Sequence, residues 1–68
     1  MQFETQVINK IAPYLETGER ADFTSGTLFV SCSEATARQI FHKLCRDAGI
    51  GKVKISKTPA EYVFDFVA

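Results

Sequence analysis

The sequence predicts an α+β fold, a two-layer sandwich of order αββαββ. A four-stranded antiparallel sheet, its first strand short, carries two helices on one face. Three observations lead there. Two stretches, residues 3–15 and 33–48, repeat apolar side chains with the period of a helix. Each is followed by two short runs in which apolar and polar residues alternate, separated by turn residues. Sixty-eight residues are too few for two cores, so residues 1–68 make a single compact domain.

In the first helix Phe3, Val7, Ile8, Ile11, Tyr14 and Leu15 share an arc of about 140° at 100° per residue. Pro13 cannot donate to the carbonyl of Asn9, so the helix stops near Ala12 or bends in its last turn. Gly18 turns the chain away. Ser25-Gly26 then reads as a tight turn between a short strand over 21–24 and a better one over 27–32. In the second of these, Leu28, Val30 and Cys32 lie on one face, with Thr27, Phe29 and Ser31 on the other.

SEATARQIFHKLCRDAG is the clearest helix. Ser33 suits its N-cap, with Ser31 and Glu34 as an alternative capping box. Ala37, Ile40, Phe41, Leu44 and Ala48 form its apolar stripe, Cys45 lies on the flank, and Gly49 is placed to end it. KVKIS alternates Val53 and Ile55 with Lys52, Lys54 and Ser56. Thr58-Pro59 marks a turn, and EYVFDFV returns as the last strand. The two halves also align loosely: VINKIA resembles IFHKLC, Phe23 corresponds to Ile55, and LFVS to YVFD.

Strand character ranks the sheet. A central strand is buried on more of its surface than an edge strand, and EYVFDFV and LFVS are the most apolar. KVKIS carries lysines, which suit an edge because they discourage pairing with another chain. Phe64, Phe66 and Tyr62 then face the helices. Phe29, Val63, Asp65 and Val67 look outward beside Lys52 and Lys54.

Composition bounds the function. The formal net charge is zero, yet residues 1–34 carry two basic groups against five acidic ones and residues 35–68 carry six against three. Eight aromatics supply enough apolar surface to rule out disorder. No apolar run is long enough to span a bilayer, and MQFETQVINK lacks the basic start and apolar stretch of a signal peptide, so a cytoplasmic protein is expected. Two cysteines do not make a disulfide framework, and both read as buried free thiols.

Candidate chemistry is sparse. Cys32, His42 and Cys45 fall short of the four ligands of a tetrahedral zinc site, and His42 points away from Cys45 on the helix. No third group orders a Cys–His pair for catalysis. Ser31, Cys32 and Ser33 at a helix start read as capping in preference to an anion site. GIGK follows a helix where a phosphate loop precedes one, and it lacks the Walker spacing. No motif is specific enough to assign a family.

The fold assignment leaves over two surfaces and no catalytic constellation. The expected function is therefore a small non-catalytic interaction or regulatory protein. It acts through an exposed sheet face (Phe29, Val63, Asp65, Val67) or a basic helix face, with a homodimer as one form. The plain alternative is a solvated sheet surface, since more than half of any folded surface is apolar. A protein partner, self or other, is expected, with no cofactor, metal or small-molecule substrate, because so short a chain has little room for a walled pocket. The alternative function is a nucleic-acid-binding module using the basic stretch 38–57, through Arg38, Lys43, Arg46, Lys52 and Lys54. A neutral net charge and a pI near 6.5 weigh against it.

Overall fold

The computed structural model describes residues 2–47 and 49–67, with side chains described for all of these but 2 and 67. Two helices and four strands follow the order αββαββ: α1 (Gln2–Ile11), β1 (Arg20–Thr24), β2 (Thr27–Ser31), α2 (Glu34–Arg46), β3 (Lys52–Lys57) and β4 (Tyr62–Val67). The sheet is antiparallel throughout, with strand order β1-β2-β4-β3. The two most apolar strands thus lie in the middle and KVKISK lies at an edge, as strand character requires.

Local sequence explains each boundary. α1 gives way at Pro13 to a 3-10 turn over Ala12–Tyr14, the tighter winding that a missing amide donor favours. Ser25 and Gly26 both adopt positive φ, 52° and 80°, which a two-residue hairpin turn of type I′ needs. Ser33 caps α2, its hydroxyl accepting from the Thr36 amide at 3.2 Å. The other end differs from expectation. Gly49 is not in the left-handed region; Asp47 ends the helix, its carboxylate accepting the Gly49 amide at 2.9 Å. The left-handed residue needed to reach β3 is Gly51, at φ 84°. Ala48, assigned above to the stripe of α2, lies outside the described residues.

The core lies between the sheet and both helices. Val7 and Ile11 of α1, Leu28 and Val30 of β2, Ala37, Ile40 and Leu44 of α2, and Phe64 of β4 are buried together. At one end Phe23 and Phe66 stack, with ring centroids 5.5 Å apart, and Phe3 meets both edge-on. Phe23 and Phe66 belong to strands separated by β2. The rings therefore meet across the end of β2, beyond its last pair with β4, Thr27↔Asp65.

The two halves are related by a pseudo-two-fold axis through the sheet. Phe29 and Val63, 34 positions apart, pair directly with each other, so the axis passes between them. The same offset carries the Thr24↔Thr27 closure onto Thr58 and Glu61, where the Thr58 amide bonds the Glu61 carbonyl at 2.8 Å. Buried Val7 and Ile11 match buried Ile40 and Leu44. The register corrects one equivalence: Ile55 corresponds to Ala21, and Phe23 to Lys57.

Candidate functional site on the open sheet face

Side chains alternate across each strand, so burial of Leu28, Val30 and Phe64 beneath the helices turns Phe29, Val63 and Asp65 to the opposite face. There the register builds two rows. Asp22, Phe29, Val63 and Ser56 run across the four strands in one, and Thr24, Thr27, Asp65 and Lys54 in the next. Phe29 and Val63 are half-buried and share the centre; Asp22, Ser56, Asp65 and Lys54 around them are exposed. Asp65 accepts the Thr27 hydroxyl at 3.0 Å, and Thr24 donates to Asp22 at 3.3 Å. The backbone of Val67 pairs with Lys52, while its side chain lies outside the described residues.

The basic set is divided. Arg38, Lys43 and Arg46 are exposed on α2, in the helical layer, and Arg38 pairs with Glu34 one turn earlier at 2.6 Å. Lys52 and Lys54 flank inward-facing Val53 and so project on the outer side of the sheet. Lys57 faces the helical side, its ammonium 5.6 Å from the Tyr62 ring centroid. Arg38, Lys43 and Arg46 therefore lie in the helical layer while Lys52 and Lys54 project from the outer side of the sheet, with Lys57 back on the helical side.

One residue that the sequence reading passed over organises the joint between the halves. Glu19, just before β1, accepts the Glu16 amide, the Ser33 amide and the Thr36 hydroxyl, each at 2.9 Å. These donors, the Glu16 amide foremost and the Ser33 amide next, hold its carboxyl below the usual glutamate range. Its position at the start of α2 also suits the helix dipole. The anion that the α2 N-terminus favours is thus supplied by the chain itself, and the buried Thr36 is satisfied by the same carboxylate. Only the pattern S-x-x-T of a capped helix hinted at this contact. At the other end of α2, Lys10 bonds and pairs with Asp47. That bond is the main reason the Asp47 carboxyl titrates low, with the Gly49 amide next.

Both cysteines are free thiols, and neither is fully buried: Cys32 is half-buried and Cys45 exposed. Cys45 lies a residue beyond buried Leu44, about 100° round the helix, which takes it off the core stripe. Burial, and then the Glu19 charge, push the Cys32 thiol up, away from the thiolate that nucleophilic chemistry needs. His42 is exposed on α2, against the Phe41 ring. Among the described residues no group of three or more His, Cys, Asp and Glu is placed to hold a metal ion. No described helix is long and apolar enough to cross a membrane.

No protein-family model matches this chain, and neither does any curated protein or solved structure.

Proposed function

We propose that the chain is a small non-catalytic interaction protein that engages a protein partner through its open sheet face. One observation carries the reading: Phe29 and Val63 are direct cross-strand neighbours at the centre of the face opposite both helices, ringed by Asp22, Ser56, Asp65 and Lys54. An apolar centre with a polar rim is the composition of a protein-binding patch. The face reading ranks above nucleic-acid binding because the basic side chains of the latter are divided between two layers, whereas a phosphate backbone needs them along one track.

The test is affinity capture with the tagged chain, comparing wild type with Phe29→Ala and Val63→Asp. Loss of a specific partner from both variants, with their circular dichroism unchanged, is the expected result. Retention of every partner by both variants would sink the reading.

A further inference from the structure

The two open edges of the sheet are complementary to each other, and we propose that copies of the chain associate edge to edge, β1 of one against β3 of the next. The contact shares Asp22 and Lys54 with the rim of the open face but uses neither Phe29 nor Val63, so the Phe29→Ala and Val63→Asp capture experiment and the self-association measurement can fail separately.

The hydrogen-bonding phase of the edges is the first support. The two-residue turn makes Thr24↔Thr27 a hydrogen-bonded pair, so Asp22 and Arg20 also bond toward β2, and Ala21 and Phe23 direct their amides and carbonyls to the open edge. On the other hairpin Thr58 bonds Glu61, which leaves Val53, Ile55 and Lys57 directed to the open edge of β3. Both edge sets lie on the helix-facing side of the sheet. Opposed residues in an antiparallel pair must share a side, and β1 and a neighbouring copy's β3 run antiparallel when the sheet simply continues. The two edges are therefore in phase.

Charge is the second. With Ala21 across from Ile55 of the next copy, Asp22 stands across from Lys54. A cleft of about 320 Å³ beside β1 is lined by Glu4 and Asp22 together with Ile8, Ala21 and Phe23. Its counterpart beside β3, of about 570 Å³, is lined by Lys52 and Lys54 with Val53 and Cys45. Like edges meet badly: β1 on β1 sets Asp22 against Asp22, and β3 on β3 sets lysines against lysines. The lysines that guard β3 against its own kind thus favour β1. Ile55, 39% exposed at the β3 edge, gains cover in the contact.

Layer width is the third. Four strands step about 19 Å across the sheet, and two packed helices about 16–20 Å, so both layers continue with one repeat. A single edge contact is small beside the roughly 800 Å² per partner of a stable interface, so the association is weak and reversible. Because the contact is head to tail it does not close at two copies.

Analytical ultracentrifugation of the full chain, from micromolar to millimolar concentration at low and high salt, tests this. Mass should rise past the dimer with concentration and fall with salt. Asp22→Lys and Lys54→Asp should each weaken association about five-fold or more. An equimolar mixture of the two, and the doubly exchanged chain, should recover it, since Asp22 and Lys54 sit on opposite edges of one molecule and meet only between molecules. Ala21→Pro, which removes an amide aimed at the open edge, should suppress association while leaving circular dichroism unchanged. A monomer at every concentration, growth that stops at a dimer, or a mixture no better than its components would overturn the proposal.

Discussion

Two adjacent residues in β4 test the assignment of faces most sharply. Phe64 is fully buried, with Leu28 across one strand boundary and Ile55 across the other, while Val63 is half-buried on the open face. Phe64→Ala costs about 3–5 kcal/mol, most of the roughly 3–10 kcal/mol that a domain this small possesses. Phe64→Leu is the measurable version: losing three buried carbons costs about 1–2.5 kcal/mol. At about 4–8 °C per kcal/mol for this size, the melting temperature falls by about 4–20 °C. Val63→Thr keeps the β-branch and adds a hydroxyl that solvent can satisfy, so the change stays within about 0.5 kcal/mol, or about 4 °C. In a core the same hydroxyl would cost about 1–3 kcal/mol. Thermal melts followed by circular dichroism at low micromolar concentration, where self-association is negligible, compare the two. A loss at Val63→Thr as large as that at Phe64→Leu would refute the assignment of faces.

Two further outcomes follow from local geometry and titration. Gly26→Ala should cost about 1–2 kcal/mol, because φ of +80° strains any side chain although nothing lies within 4 Å of the new Cβ. Gly49→Ala should cost less than Gly26→Ala: Gly49 is not left-handed, and among the described residues the new methyl meets the Asp47 carboxylate oxygen, at 3.3 Å. Urea midpoints of the two variants rank them, and a larger loss at Gly49 would reverse the reading of that turn. Glu19 and Asp47 both titrate below their unfolded values of about 4.3 and 3.9. In acid the unfolded chain therefore takes up protons before the folded one, and the stability these carboxylates contribute is complete at neutral pH and lost as pH falls through their folded values. Glu19→Gln should be less stable than wild type at pH 7, with the difference shrinking toward pH 3. A difference independent of pH would remove Glu19 from the acid response.

Hydrophobic alternation is local, with a period of two in a strand and 3.6 in a helix, so it can be read without knowing what packs where. For that reason the amino-acid sequence by itself determined the six elements, the inward turn of Leu28, Val30 and Phe64, the outward turn of Phe29, Val63 and Asp65, and the central places of β2 and β4. Contacts between distant segments depend on how the layers meet. Only the tertiary structure decided that Glu19 clamps the start of α2, that Lys10 pairs with Asp47, and that the Phe23 and Phe66 rings stack although β2 separates their strands. It alone divided the basic stretch, because a helix and the outer face of a strand lie on opposite sides of the sheet however close they are in sequence. Edge phase belongs to the same class: which amides of β1 and β3 look outward follows from how each hairpin closes, and no single strand carries that information.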